Sequence, residues 1–176
     1  MSAAIPEDTL PTDSQLKFSY EYAVDVDISD GTGEPVWQRV RFIDSLNPAA
    51  TGVKVSAATY EDKGAPNEIR TSESWTLAFN VQAHVVAGEY LQEVQALLDR
   101  TAPDAVGEDA KIAIRYYDNP DGSRDPVLSD SYSGLATVEM TRSQTGADGQ
   151  IEVFSFTLTG VGRRAQAVHP DTPAGP

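Results

Sequence analysis

Two short stretches carry carboxylates at spacings that could bind a calcium ion. The carboxylates are Asp25, Asp27 and Asp30 in DVDISDG, and Asp118, Asp121 and Asp125 in DNPDGSRD. Neither stretch has the glycine at position six and the glutamate at position twelve that define an EF-hand loop. Because Asn-Pro and Asp-Gly pairs form turns without any ligand, structural turns are the favoured interpretation. The sequence therefore predicts no metal ion and no other cofactor.

The residues that usually perform acid–base or nucleophilic catalysis are few and isolated. His84 falls on the polar side of a predicted strand and His169 lies in a proline-rich segment, so neither has an evident partner for general-base work. The chain has no cysteine, and it contains no G-x-S-x-G, P-loop or H-E-x-x-H motif. The G-x-G of TGVG leads into a polar segment rather than a helix. We therefore predict that the protein is not an enzyme.

Composition narrows the possible classes further. With 176 residues the chain is long enough for one domain with a substantial core. Its formal net charge of −14 disfavours tight binding to nucleic acid, since attraction to phosphates dominates such affinity. The sequence has no apolar run long enough to span a bilayer, and its first residues lack the basic and apolar segments of a secretory signal. We predict no membrane partner.

Large apolar residues occupy every second position from Phe18 to Ile28, and the intervening positions are polar except for Ala23. This pattern predicts a strand that forms a hairpin with VWQRVRFI through the turn SDGTGEP. The register is set by matching the apolar faces of the two strands, because a slip of one residue would turn one of them over. This register places Ile28 opposite Val36, Asp25 opposite Arg39, Val24 opposite Val40, Ala23 opposite Arg41 and Tyr22 opposite Phe42.

The polar face of this hairpin has an unusual density of carboxylates. It carries three acids and three bases, so that its formal charge sums to zero: Glu21, Asp25 and Asp27 with Lys17, Arg39 and Arg41. Opposite charges across a ladder each contribute about 0.2–1 kcal/mol. A solvated face of paired charges is therefore the favoured interpretation.

The rest of the chain predicts further strands and a single helix. Alternation indicates strands in SWTLAFNVQAHVV, KIAIRYYD, LSDSYSGLATVEMTR and IEVFSFTLTGVG, whereas EYLQEVQALLD has a helical period. Residues 44–71 lack periodicity apart from VKVSA, which predicts a long inter-strand loop. The predicted fold class is mainly β: an antiparallel β-sandwich or barrel with one flanking α-helix and extended N- and C-terminal arms.

These patterns divide the chain into three parts. Residues 1–16 contain two prolines, three acids and no base, and we predict that they form a flexible N-terminal arm. Residues 17–162 form a single β-sandwich domain that includes the loop 44–71. Residues 163–176 contain three prolines and predict a C-terminal tail without a strand or helix.

The motifs of the second half form an ordered set. SWTLAFNVQAH leads into EYLQEVQALLD and is followed by IAIRYYDNPDG and then by SYSGLATVEMTRSQTGADGQIEVFSFTLTGVGRR. The Y-x-G strand, the polar turn and the closing F-x-F-T-L-x-G strand look like the ending of one known family. In this order the motifs resemble the major tail tube proteins of long-tailed, siphovirus-like bacteriophages, especially those of actinobacteria. The resemblance covers about residues 15–164.

This resemblance implies a structural protein of the virion. Its subunits would form hexameric rings that stack into a tail tube, and it would be made in the cytoplasm of the host bacterium. Its partners would be further copies of itself and other tail proteins, such as the tape measure, distal tail and tail terminator proteins. DNA would pass through the channel of the tube without specific binding.

The resemblance also implies roles for particular residues. The channel wall of such tubes is typically negatively charged, and the candidates to line it are Glu21, Asp25 and Asp27. A long loop after the first strand pair reaches the neighbouring ring in this family. The candidates for inter-ring contact in residues 44–71 are Asn47, Pro48, Val53, Val55, Tyr60 and Pro66.

A carbohydrate- or protein-binding β-sandwich module, such as a decoration or adhesion domain, is the main alternative. Modules of that class usually expose aromatic side chains on loops. Trp75 belongs to a core alternation, so only Trp37 could serve. The predicted register places Trp37 on the polar face opposite Asp27, where a subunit contact could also bury it.

Overall fold

Antiparallel strands make up most of the computed structural model, which describes residues 14–29, 33–119, 121–122, 124–143 and 146–171. The elements are β1 (Tyr22–Asp27), β2 (Trp37–Arg39), β3 (Ile43–Ser56), β4 (Glu68–Gln82), β5 (Val85–Val86), β6 (Glu89–Tyr90), α1 (Gln92–Asp99), β7 (Lys111–Asp118), β8 (Ser131–Ser143) and β9 (Val153–Gln166). Seven strands form one sheet in the order β2-β1-β7-β8-β9-β4-β3, and β5 pairs with β6. The prediction of a mainly β, antiparallel fold with one flanking helix is confirmed.

The sheet is curled, because its two edge strands are consecutive in the chain. Only residues 40–42 separate β2 at one edge from β3 at the other. The Val40 amide donates to the Val24 carbonyl (2.9 Å), and the Phe42 carbonyl accepts from the Gln82 amide (3.1 Å). Phe42 has a φ of 59°, in the left-handed region, where the chain leaves β1 and turns towards β4.

The core fills the concave side of this sheet. Alternate residues of β1, β4, β7, β8 and β9 point inward, as the period of two requires. Val94 and Leu97 of α1 are buried against them, so the helix covers the open side of the curl. The predicted core alternation of β4 is confirmed, since Trp75, Leu77 and Phe79 are almost completely buried.

Trp75 of β4 occupies a slot made by glycines on β9, which pairs with β4, and on β8, the next strand of the sheet. A Cβ atom added to Gly160 would lie 2.1 Å from the indole, and one added to Gly134 would lie 2.6 Å from it. The indole Nε1 donates to the Gly162 carbonyl at 3.0 Å. The two glycines are therefore required by the close approach of the ring to the backbone.

The predicted β1–β2 register is confirmed over its central part. Asp25 pairs with Arg39, and the Ile28 amide donates to the Val36 carbonyl at 3.0 Å. The prediction fails beyond Val40, because the chain turns away from β1 at Phe42. β1 also begins only at Tyr22, and Phe18 is exposed rather than part of the apolar face.

The prediction of an irregular loop over residues 44–71 was wrong for most of its length. β3 and β4 continue through it as a long hairpin, and only residues 57–67 form the connection. Both faces of this hairpin are exposed along much of its length. A strand with no buried face has no reason to alternate apolar and polar residues, so the periodicity that marks the other strands is missing.

The two ends of the chain are more ordered than predicted where the structure describes them. β9 continues to Gln166, past the predicted domain end at residue 162. His169 is buried, although it was assigned to a tail without structure. Residues 1–13 of the predicted arm and residues 172–176 of the predicted tail lie outside the described residues.

Candidate functional site

The carboxylates of the β1 face are largely buried in ion pairs, not solvated as predicted. Glu21 and Asp25 are 2% and 3% exposed, and Asp118 is fully buried. Arg124 donates from Nη1 and Nη2 to the two oxygens of Asp118 at 2.8 and 2.7 Å, and from Nε to Glu21 Oε2 at 3.0 Å. The Lys17 ammonium lies 3.0 Å from Asp118 Oδ1. Residues more than 100 positions apart thus share one cluster.

The donors of this cluster keep Asp118 ionised. Burial by itself raises the pKa of the Asp118 carboxyl, but hydrogen bonds from Arg124, from the Val127 amide and from Lys17 outweigh it. The resulting pKa lies far below its ordinary value. His169 also contacts this residue, through Nε2 to the Asp118 carbonyl oxygen. The cluster therefore fastens the segments before β1 and after β9 to the same point of the sheet.

Asp25 has a closer ion-pair partner in addition to Arg39, which lies opposite it as predicted. Arg115 on β7 lies closest, with Nη2 2.6 Å from Asp25 Oδ2, and the Tyr117 hydroxyl donates to Asp25 Oδ1 at 3.1 Å. The predicted partner Arg39 is more distant, at 3.8 Å. The prediction of Arg41 opposite Ala23 was wrong: the Arg41 guanidinium binds the buried Glu93 of α1 with Nε 2.7 Å from Oε1.

The three predicted channel-lining carboxylates are therefore all engaged within the subunit. Glu21 and Asp25 are buried, and Asp27 is partly buried. Asp27 Oδ1 accepts hydrogen bonds from the Ser29 and Val36 amides, both at 2.9 Å. Although burial raises the Asp27 pKa, these bonds lower it below its ordinary value. The channel role of these residues stays a prediction, and their burial counts against it.

The end of the β3–β4 hairpin is one exposed feature of the described part of the chain. The pairing of β9 with β4 extends no further than Thr76, so residues 51–74, which we call the arm, continue as a two-stranded ribbon. The base of the arm contacts β9 through Glu73, which binds Arg164 at 3.0 Å. Val53, Val55 and Ile69 on the arm are 43%, 55% and 56% exposed, and Tyr60 at its tip is fully exposed. A two-stranded hairpin is marginal in water by itself, and exposed apolar side chains indicate a binding surface.

The tip of the arm nevertheless has a defined structure. A 3-10 turn spans Tyr60–Asp62, with Thr59 preceding it. The Thr59 amide donates to Asp62 Oδ2 at 2.6 Å, and this bond lowers the Asp62 pKa. Lys63 follows in the left-handed conformation with a φ of 49° and closes the turn. The arm therefore presents Tyr60 and Lys63 from a fixed backbone.

The predicted inter-ring residues divide between the arm and the sheet. Val53, Val55 and Tyr60 lie on the arm, and Pro66 lies in the connection between its strands. Asn47 and Pro48 lie within the sheet, in register with Ala78 and Leu77 of β4. Pro48 is compatible with a strand because β3 is an edge strand, where a missing amide donor is tolerated.

The convex side of the sheet carries a second exposed feature that the sequence analysis missed. Residues in register across β8, β9, β4 and β3 share one face, and nearly all of them bear hydroxyl, amide or methyl groups. We call this surface the polar face. Its successive rows are Thr137, Thr159, Thr76 and Ala49; Glu139, Thr157, Ala78 and Asn47; and Thr141, Ser155, Asn80 and Ser45.

Glu139 is the one ionisable residue in these twelve positions, which are all within the described part of the chain. The Ser143 and Ser155 hydroxyls lie 3.3 Å apart, and the Thr137 hydroxyl donates to the Thr159 carbonyl at 3.4 Å. Within one strand, these polar positions are indistinguishable from an ordinary solvent-exposed side. The sequence feature that could have revealed the polar face is the lack of charged residues at these positions in a chain of net charge −14.

The described residues were also searched for a metal site, a membrane-spanning helix and an exposed aromatic side chain at Trp37. Within them, no three His, Asp or Glu side chains are grouped as metal ligands, and no helix is long and apolar enough to cross a membrane. Asp30 of the first calcium candidate lies outside the described residues. Trp37 is partly covered, with the Arg115 guanidinium 4.9 Å from its ring centre.

Solved structures with a similar fold come from tail-like particles. A chain from the tail of an empty GTA particle, refined with C6 symmetry, aligns with a TM-score of 0.58 and 8% identity over 87% of this chain and 100% of that one. The cap that terminates the tube of the anti-feeding prophage aligns with a TM-score of 0.55 and 14% identity, over 94% and 100%. The fold is shared. No family model and no curated protein matches the sequence.

Proposed function

We propose that this protein is a structural subunit of a phage-type tail tube, in which hexameric rings stack to form a channel for genome delivery. The arm is the observation that carries the proposal. It projects from the domain, exposes apolar side chains on a marginal two-stranded ribbon, and so requires a partner. The fold likeness to a tail chain with C6 symmetry and to a tube cap supports this assignment.

Self-association would also cover the exposed edge strands of the sheet. β3 is a 14-residue strand at the edge, and an open edge of that length pairs readily with another chain. Closure of several copies into a ring would cover such edges. The arms would then project from the ring and contact the next one, which is the role expected for residues 44–71.

We assign the channel wall to the polar face rather than to Glu21, Asp25 and Asp27. Hydroxyl and amide groups hold water, and the twelve positions carry no cation, so they offer DNA no counterion release. Lys111 continues the first row on β7, where it pairs with Glu108. Glu139 would add one carboxylate per subunit and repel phosphates. DNA would therefore slide along the wall without binding to it.

The remaining parts of the proposal follow from this role. The protein would act in the virion, after synthesis in the host bacterial cytoplasm, and without enzymatic activity. Its other partners would be tail components such as the tape measure, distal tail and tail terminator proteins. The alternative, a carbohydrate- or protein-binding module, would use exposed aromatic side chains. Arg115 covers part of Trp37, whereas Phe18, Tyr20 and Tyr60 are exposed.

Electron microscopy and sedimentation of the purified full chain test the proposal. We expect rings and stacked tubes with a central channel. The control is an arm-shortened variant, in which a Gly-Ser turn replaces residues 54–70, and we expect it to remain folded without forming tubes. A wild-type chain that stays monomeric at high concentration, even with tail-initiating components, would refute the proposal.

A further inference from the structure

A groove on the convex side of the sheet exposes apolar side chains of β7, β8 and β9. Ala113, Leu135 and Val161 are in register across these strands, and Trp37 also lines the groove, which has a volume of about 330 Å³. Leu135 and Val161 lie two residues beyond the first row of the polar face, so they point to the same side of the sheet. They are 47% and 38% exposed. Exposed apolar surface of this kind marks a contact site.

Three arginines lie around Glu73, next to this groove. Arg163 is the one charged residue in the lining of the groove within the described part of the chain, and it also lines a cavity of about 420 Å³ with Arg70 and Glu73. Glu73 accepts hydrogen bonds from Arg70 Nη2 at 2.8 Å and from Arg164 Nε at 3.0 Å. Arg163 forms no ion pair with any described residue. These four residues, which we call the arginine cluster, are three cations and one carboxylate in a chain of net charge −14.

The first residues of the chain have a sequence that complements both surfaces. Residues 1–13, which lie outside the described residues, contain three acids and no base. Within IPEDTL, the acids Glu7 and Asp8 stand between the apolar residues Ile5 and Leu10. Carboxylates bind guanidinium groups through strong, charge-assisted hydrogen bonds, and apolar side chains fit an apolar groove. The segment thus combines the two kinds of group that the groove and the arginine cluster require.

The chain is long enough for these residues to reach the groove of their own subunit. Lys17 is held at Asp130, with Nζ 2.8 Å from Oδ2, and Asp130 directly precedes β8. Leu135 lies five residues further along, about 16 Å away at the rise of a strand. Leu10 lies seven residues before Lys17, which gives a reach of about 23 Å for an extended chain. The reach exceeds the distance, so the contact needs no second copy.

We propose that residues 5–10 bind the groove and the arginine cluster of their own chain, with Leu10 in the groove and the carboxylates of Glu7 and Asp8 at Arg163. The segment covers apolar surface that water would otherwise contact. Because it belongs to the same chain, its effective concentration at the groove is about millimolar, which favours this contact over one between separate subunits in dilute solution. The inference is independent of the proposed function, since the contact lies within one subunit.

Cross-linking of the full chain tests this contact, because the chain contains no cysteine. Thr9→Cys/Ala165→Cys, with Ala165 at an exposed site in the groove, is treated with a short bismaleimide in dilute solution. We expect an internally cross-linked monomer, formed at a rate independent of protein concentration. Thr9→Cys/Val127→Cys is the matched control: Val127 is exposed, and its amide donates to Asp118, which also binds Lys17. A segment without a preferred site would reach Val127 first, whereas we expect the control to react about tenfold more slowly.

Charge reversal gives a second measurement on the same cross-link. Arg163→Glu should slow the reaction at Ala165 about tenfold, as should Glu7→Lys/Asp8→Lys, and the combined variant should react at close to the original rate. Lys63→Glu makes the same change of charge at an exposed site on the arm and should leave the rate unchanged.

Three outcomes would overturn the inference. The first is an equal rate for the two cysteine pairs, and the second is a rate that Arg163→Glu does not change. The third is a covalent dimer in place of the monomer, which would show that the groove binds the segment of a second copy. Tube formation by the wild-type chain is measured separately, so each of these outcomes leaves the proposed function intact.

Discussion

At the scale of single residues, the buried charged side chains form ion pairs that hold segments of the subunit together. The buried carboxylate of Asp118 is held by Arg124, Lys17 and the Val127 amide, and it lies on the strand next to β1. Removing one partner of a buried pair leaves the other charge uncompensated, which typically costs about 3–5 kcal/mol. The cluster therefore stabilises the folded subunit, and this stabilisation is lost when acid protonates the carboxylate.

Asp118→Asn should therefore lower the free energy of unfolding at pH 7 by about 3 kcal/mol. The pKa of Asp118 is lowered in the folded protein, so its contribution is fully present above the ordinary carboxyl pKa of about 4. It is lost progressively as the pH falls below that value towards the folded pKa. Urea unfolding from pH 7 to pH 2 should show the gap between wild type and variant narrowing below about pH 4. A gap independent of pH would contradict the ionised cluster.

Gly160→Ala should destabilise the subunit through Trp75. The added Cβ would lie 2.1 Å from the indole, so the ring must move and weaken its bond to the Gly162 carbonyl. Overpacking of this kind typically costs about 1–3 kcal/mol. Thr159→Ala, an exposed neighbour on the same strand, should change the unfolding free energy by less than about 0.5 kcal/mol. Equal urea midpoints for the two variants would show that the slot is not tight.

At the scale of elements, the sequence predicts those strands that bury one face, because burial requires apolar residues at alternate positions. The β1–β2 register followed from matching apolar faces, and the alternation of β4 followed from its contact with the core. The arm was missed because neither of its faces is buried. The Asp118 cluster was missed because Arg124 and Glu21 are far apart in sequence, and pairing rules for neighbouring strands do not reach that far.

The arm should be dispensable for folding. Replacing residues 54–70 with a Gly-Ser turn removes the exposed Lys54–Glu68 pair and the Arg70–Glu73 pair but retains Glu73, which binds Arg164 at 3.0 Å. Exposed pairs contribute about 0–1 kcal/mol, so the unfolding free energy should fall by less than about 2 kcal/mol. Thermal unfolding measures this directly. A variant that does not fold would show that the arm supports the core rather than assembly.

At the scale of the whole molecule, different parts of the surface have different roles. The arm lies at one end of the strands, and the polar face lies on the convex side of the sheet. Pairs such as Asp25 with Arg115 and Glu93 with Arg41 are neutral, so the net charge of −14 comes from other residues. Of the twelve positions of the polar face, only Glu139 contributes to it.

Glu139→Lys should change how tubes treat DNA. The substitution replaces a repelling carboxylate with a cation on the polar face, and phosphate attraction falls steeply with salt. Co-sedimentation should show that variant tubes retain DNA fragments at low salt and release them as salt rises, whereas wild-type tubes retain little. Glu34→Lys tubes, with the same change of charge elsewhere, should retain far less than Glu139→Lys tubes. Equal retention by both variants would argue against the polar face as the channel wall.

A helical reconstruction of the assembled tube by cryo-electron microscopy tests the central claim most directly. We expect six subunits per ring, residues 51–74 of each subunit extended onto the next ring, and the polar face towards the channel. Rings joined through other segments, with the arm in solvent and the polar face outside, would contradict it.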